Sequence, residues 1–99
     1  FSDLKCMKRI VQTFEQKSIL IDLLDRGLET EGVQVIIGSE TEYTELSDCS
    51  LITAAYSGKR GTLGTLGVIG PNRMPYSTII PIVDYTANLI SRLLDTDND

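Results

Sequence analysis

Gly32-Val33-Gln34-Val35-Ile36-Ile37-Gly38 is where the sequence changes its period. Ahead of it, apolar residues recur at steps of three and four. Inside it, Val33, Val35, Ile36 and Ile37 are β-branched, and a glycine stands at each end. A run of this kind reads as one strand. Gly32 follows Glu31 where a left-handed C-cap belongs, so it closes a helical segment and opens a sheet.

Upstream, residues 3–31 read as helix. Leu4, Met7, Val11 and Phe14 form an apolar stripe that Ile21, Leu24 and Leu28 continue. The stripe is interrupted around Gln16-Lys17-Ser18. Thr13 and Gln16 match a T-x-x-Q capping box, which would start a second helix at Phe14. One bent helix and two consecutive helices both satisfy the pattern.

Downstream, Ser39 to Ser47 is polar and acidic, with Tyr43 and Leu46 as its only large anchors, and reads as a loop or a short helical turn. Cys49 to Tyr56 is a second strand. Ser57-Gly58-Lys59-Arg60-Gly61 carries hairpin-turn residues, and Leu63 to Ile69 returns. Gly70-Pro71-Asn72-Arg73 stops that strand. In the last helix, Tyr76, Ile80, Val83, Ala87, Ile90 and Leu94 share one stripe. Ile79, Ile82, Thr86, Leu89 and Leu93 share the adjacent one. The apolar arc is roughly 180° wide and suits a helix lying across a sheet. Pro75 fits a first helical turn. Pro81 must kink the helix, or the main helix starts there.

The fold class that follows is α+β: an antiparallel sheet of about three strands flanked by helices. Residues 1–31 form the helical segment, 32–94 the α+β body, and 95–99 a disordered acidic tail. Three strands with one helix-covered face are near the minimum for independent stability. Further strands are therefore expected elsewhere in a parent protein, and Phe1, with no preceding Met, fits a fragment.

The 99 residues carry 9 Lys and Arg against 14 Asp and Glu, a net charge of −5. That balance excludes a nucleic-acid face as their main business. Histidine is absent, which excludes His-based triads and His-ligated metals. Cys6 and Cys49, far apart and without a CxxC partner, read as two reduced, half-buried thiols of a cytoplasmic protein. No apolar run approaches the roughly 20 residues of a membrane span.

Gly61, Gly64, Gly67 and Gly70 recur every third residue but match no phosphate loop, and read as a strand that lets a helix approach closely. Asp22, Asp25, Glu29 and Glu31 read as a solvated helix face with Lys17 and Arg26 nearby. Glu40, Glu42, Glu45 and Asp48 lack calcium-loop spacing. Ser47, Ser50 and Ser57 have no nucleophile elbow. Lys59 and Arg60 read as a solvated hairpin tip, and Lys5, Lys8 and Arg9 as a small basic cluster. No catalytic, metal-binding or DNA-binding residue emerges, no cofactor is implied, and the chain is not read as an enzyme. The stiff segment Gly70-Pro71-Asn72-Arg73-Met74-Pro75 stands out. Asn72 and Arg73 are candidates for a partner or switch loop, against a rigid strand-to-helix connector, which the residue types favour.

Several blocks together carry a resemblance: Gly32 to Gly38, Leu46-Ser47-Asp48-Cys49-Ser50-Leu51-Ile52-Thr53-Ala54, Gly64-Thr65-Leu66-Gly67-Val68-Ile69-Gly70-Pro71, Arg73-Met74, Tyr76, and Pro81-Ile82-Val83-Asp84-Tyr85. They resemble the C-terminal part of the HrcA family of bacterial heat-inducible transcription repressors. The resemblance implies a GAF-like α+β domain, here the portion after an inserted dimerising segment. It implies a regulatory and dimerisation role in stress response: negative regulation of groE- and dnaK-type chaperone operons through an inverted-repeat operator. The implied partners are a second copy or higher homo-oligomer, the GroEL chaperonin, and operator DNA reached only through an N-terminal winged helix outside these residues. The alternative is a GAF- or PAS-like small-molecule sensor of another bacterial regulator.

Overall fold

The structure, a computed structural model, describes residues 2–28 and 31–97. Two helices, α1 (Ser2–Glu15) and α2 (Lys17–Leu28), precede strand β1 (Val33–Ile37). Single 3-10 turns at Gly38–Glu40 and Thr44–Leu46 lead to β2 (Cys49–Gly58), β3 (Gly61–Pro71) and the long helix α3 (Tyr76–Asp97). The class is α+β, as the periodicities require.

The helical segment is two helices, and the break falls at Gln16. The Gln16 carbonyl accepts the Ile19 N–H at 3.0 Å, so α2 starts three residues after the point that the capping box suggests. Burial decides the position. Helix α2 seats on the sheet through Ile19, Leu23 and Gly27, a face that the Leu4-Met7-Val11 stripe does not share. An unbroken helix would keep those two faces apart. Helix α2 is described as far as Leu28, residues 29 and 30 lie outside the described residues, and Glu31, expected inside the helix, is not helical. Gly32 has φ +79°, so its left-handed conformation serves the entry into β1.

The strands pair antiparallel in the order β1-β2-β3. Val33 stands opposite Ala54, Ile37 opposite Ser50, Leu51 opposite Ile69, and Tyr56 opposite Gly64. Strand β2 is central, and Cys49 to Ala54 are all buried. Alternation sends Leu51 into a cluster with Ile19, Leu23, Ile36 and Leu46, while Ile52 and Ala54 join Met74, Val83 and Ala87. Helices therefore cover both faces, where one covered face was expected. The continuous apolar run in β2 is the consequence.

The hairpin is tighter than its turn residues suggest. Gly58 pairs with Gly61, leaving Lys59-Arg60 as a two-residue loop, and Gly61 takes φ +114°. A register shift beside Tyr56 leaves Leu63 as the extra residue of β3. The close approach of helix to sheet is made by a glycine of α2, not by the strand glycines. A Cβ on Gly27 would lie 2.9 Å from both Thr53 Oγ1 and Thr65 Cγ2. Gly64 instead lies beneath the Tyr56 ring on the other face.

Helix α3 is continuous through Pro81 and reaches Asp97, so residues 95–97 of the expected acidic tail are its last turn; 98 and 99 lie outside the described residues. The Pro75 carbonyl accepts the N–H groups of Thr78 and Ile79, each at 3.0 Å, which places Pro75 just before the first turn. Pro81 is exposed and cannot donate to the Ser77 carbonyl one turn earlier. Pro81→Ala is expected to restore that bond and raise stability by about 1–2 kcal/mol, after allowance for the freer unfolded chain. Chemical denaturation measures it; an unchanged or lower midpoint would show that the ring's own contacts compensate.

Candidate functional site

The turn between β3 and α3 holds both candidate loop residues, and it separates their roles. Ser50 Oγ donates to Asn72 Oδ1 at 2.7 Å, and Asn72 Nδ2 donates to the Ser47 carbonyl at 3.2 Å. The Asn72 N–H donates to the Asp48 carbonyl at 3.2 Å. The Tyr76 hydroxyl donates to the Asn72 carbonyl at 2.7 Å and lies 3.1 Å from Ser50 Oγ. Asn72 thus ties the start of β2, the loop before it and the first turn of α3 into one knot. Arg73 is exposed. Asn72→Ala would leave the buried Ser50 hydroxyl without its acceptor, at a cost of about 1–3 kcal/mol. Thermal melts of the variant check this; a shift below about 0.5 kcal/mol would mean that water replaces the amide fully.

The same loop anchors α1. Arg9 Nη1 pairs with Asp48 Oδ2 at 2.9 Å and donates to Ser47 Oγ at 3.0 Å. Arg9, read as part of a basic cluster, is therefore a structural tie. A second polar cluster joins α2 to the loop after β1. Arg26 Nη2 bonds Asp22 Oδ2 at 2.9 Å and also bonds Glu42. The Tyr43 hydroxyl donates to Asp22 Oδ2 at 2.6 Å, and the Arg26 guanidinium lies 5.8 Å from the Tyr43 ring centre. Only Asp25 and Glu31 of the described acids on this stretch remain simply exposed; Asp22 works as a tether. Its partner Tyr43 lies 21 positions away, so helical spacing carries no signal of it.

The electrostatics of that tether set a pH response. The Tyr43 hydroxyl, then Arg26, hold the Asp22 carboxyl below its ordinary range. Arg26 does the same for Glu42, and the bond to Asp22 raises Tyr43. The depressed carboxylates contribute stability that is present above their unfolded values and lost as pH falls through the folded ones, in the window below about pH 4. Raised Tyr43 contributes below its unfolded value near pH 10, and that contribution is lost as pH rises through the folded value. Asp22→Asn is expected to bring the Tyr43 titration back down toward an ordinary tyrosine. Ultraviolet pH titration reads it, and an unmoved Tyr43 curve would remove Asp22 as the cause.

Among the described residues, no three of His, Cys, Asp and Glu converge as metal ligands, and Glu42 and Asp48 are engaged by arginines. Cys49 is buried rather than half-buried; the Cys6 side chain lies outside the described residues. Cys49 borders a cavity of about 10 Å³ beneath α2, room for about one water. No described helix is long and apolar enough to cross a membrane.

The fold leaves two apolar stripes uncovered among its exposed polar residues. On α1, Leu4, Met7 and Val11 are all more than half exposed. On α3, Ile82, Tyr85, Leu89 and Leu93 form a second exposed stripe, with Tyr85 at 62%. The outer part of the wide arc of α3 is therefore largely turned away from this body, although Ile79 of the same stripe packs against the core. Single exposed apolar residues are ordinary; ordered stripes mark contact surfaces.

The family described as "HrcA protein C terminal domain" matches residues 1–80. The chain is 50% identical over 95 residues to the heat-inducible transcription repressor HrcA of Geobacter sulfurreducens, covering 96% of this chain and 28% of that protein. It is 50% identical over 96 residues to the repressor of the same name from Syntrophobacter fumaroxidans, with the same coverage. For that of Methylobacillus flagellatus the identity is 42% over 97 residues, covering 98% and 29%. The chain thus spans under a third of the length of these relatives. A crystal structure described as that of a hypothetical protein at 2.2 Å shares the fold, with TM-score 0.76 and 17% identity, over 94% of this chain and 27% of that one.

Proposed function

Because this chain belongs to the HrcA family of heat-inducible transcription repressors, we propose that it forms the regulatory and dimerising part of such a repressor, within a GAF-like domain. In this reading the whole protein represses chaperone operons of the groE and dnaK type through an inverted-repeat operator, in the cytoplasm. Operator contact falls to a winged helix in the N-terminal part of the family protein, and GroEL keeps the repressor active.

The observation that carries the reading is the pair of uncovered apolar stripes on α1 and α3 of an acidic, otherwise packed body. A dimeric repressor reads two half-sites at fixed spacing, so whatever joins the protomers sets operator affinity. Exposed apolar faces also suit a chaperonin, which takes hold of such surfaces. The Asn72-Arg73 turn acts here as a connector, so Arg73→Ala should move repression and melting temperature together or not at all.

Gel shifts against the inverted-repeat operator test the proposal. The 99-residue chain alone should give no sequence-specific retention. The full-length repressor should be retained, and Met7→Asp or Ile82→Asp should weaken it by about tenfold or more through lost dimerisation. Specific retention of the 99-residue chain, or undiminished affinity of both variants, would sink the reading.

A further inference from the structure

The two uncovered apolar stripes stand on helices that share one polar anchor. Helix α1 packs against β3 and the Thr44–Leu46 turn. From it, Arg9 Nη1 reaches Asp48 Oδ2 at 2.9 Å and donates to Ser47 Oγ at 3.0 Å. Residues two positions apart on a helix point about 200° away from each other. Met7 and Val11 each stand two positions from Arg9. Fastening Arg9 to the body therefore turns the Met7-Val11 stripe outward, where it is exposed.

The same anchor is held from its other side by Asn72. The Asn72 N–H donates to the Asp48 carbonyl and Nδ2 to the Ser47 carbonyl, each at 3.2 Å. The Asn72 carbonyl accepts the hydroxyl of Tyr76, the first residue of α3, at 2.7 Å. A continuous polar path thus runs from α1 through Ser47 and Asp48 to Asn72 and α3. Only Gln16 stands between α1 and α2, and a one-residue break leaves the angle of α1 to its contacts with the body. The Arg9 and Asp48 side chains are 34% and 41% exposed, and an ion pair this open adds little to stability. Its consequence is geometric: it selects one angle for α1.

We propose that Arg9 and Asp48 are positioning residues for self-association: their pair fixes α1 against α3, so that a second copy of the chain meets both apolar stripes at once. The inference rests on the reading of those stripes as the dimerising surface. In a two-fold dimer each protomer offers the same surface, so one tie acts twice. Two patches on a rigid frame engage with the second contact already at high effective concentration, and a loose α1 forfeits that gain. Helices ordered before contact also lose less freedom on docking.

Sedimentation of the full-length repressor across a dilution series tests this. Asp48→Asn removes the charge and keeps the backbone carbonyl that Asn72 uses. It should weaken self-association by about threefold to tenfold. The melting temperature should shift by less than about 2 °C. Amides of residues 8–15 should exchange at least about threefold faster, with those of residues 49–54 unchanged. In a Met7→Asp background, Asp48→Asn should weaken association no further, because the stripe that it positions is already disabled. Unchanged association of Asp48→Asn, or losses that add fully in the double variant, overturn the proposal. A large fall in melting temperature alongside the lost association also overturns it, since the pair would then hold the fold itself. Undiminished association of Met7→Asp alone sinks the dimerising role of α1, a failure distinct from that of the tie.

Discussion

Gly38→Ala is expected to leave the chain without a cooperative melt. Gly38 closes β1 and opens the first 3-10 turn. A Cβ there would overlap the Leu46 carbonyl oxygen and lie 2.5 Å from that of Cys49. Both obstacles are backbone, so no side-chain rotation relieves them. The requirement is space, since Gly38 does not have positive φ. The Gly38 carbonyl also accepts the Thr41 N–H at 3.0 Å and the Thr41 hydroxyl at 2.7 Å. Shifting Gly38 therefore disturbs the turn that carries Tyr43 and Leu46 onto the α2 cluster. Overpacking costs about 1–3 kcal/mol where side chains can yield and more where the obstacle is backbone, a large share of the roughly 5–15 kcal/mol that holds a folded domain. Gly32→Ala is the control. Its space is open but φ is +79°, so about 1 kcal/mol is expected from backbone strain. Circular dichroism melts compare the two, and a Gly38→Ala variant that melts within a few degrees of the parent would refute the contact.

Val83→Asp and Ile82→Asp should behave oppositely although the residues are adjacent. Val83 is 1% exposed, packed with Ile52, Ala54, Met74 and Ala87. A carboxylate there has no partner, so several kcal/mol are lost and the α3 face of the sheet comes apart. Ile82 is 57% exposed. Aspartate at that position should change the melt of the chain by less than about 1 kcal/mol. Its effect belongs to association, read by light scattering across a dilution series. Loss of the cooperative melt in both variants would place the outer stripe of α3 inside the fold; intact association of Ile82→Asp would remove that stripe from the interface.

Much of the architecture is legible along the chain, because local periodicity reports which residues must be hidden. Val33 to Ile37 needs only its own β-branched run and two glycines to be a strand. The glycines and charges of residues 57–61 are sufficient for a hairpin, and α3 is visible from its apolar repeat. Other features have no local signature. The Thr13-Gln16 box competes with the seating of Ile19, Leu23 and Gly27, and seating wins. Gly27 and Gly38 look like any glycine until another segment is packed against them. Asn72 resembles a loop asparagine until Ser47, Ser50 and Tyr76 surround it.

Composition and periodicity by themselves determined the α+β class, the three strands and the last helix, and the lack of histidine and of a basic excess. These properties depend on residue type and spacing, which the chain carries whether folded or not. Tertiary structure alone decided that helices cover both faces of the sheet and that Asp22 tethers Tyr43. It also decided which part of the α3 arc is turned outward. Those outcomes depend on contacts between residues distant in sequence, where burial on one side of an apolar surface leaves the other side for a partner.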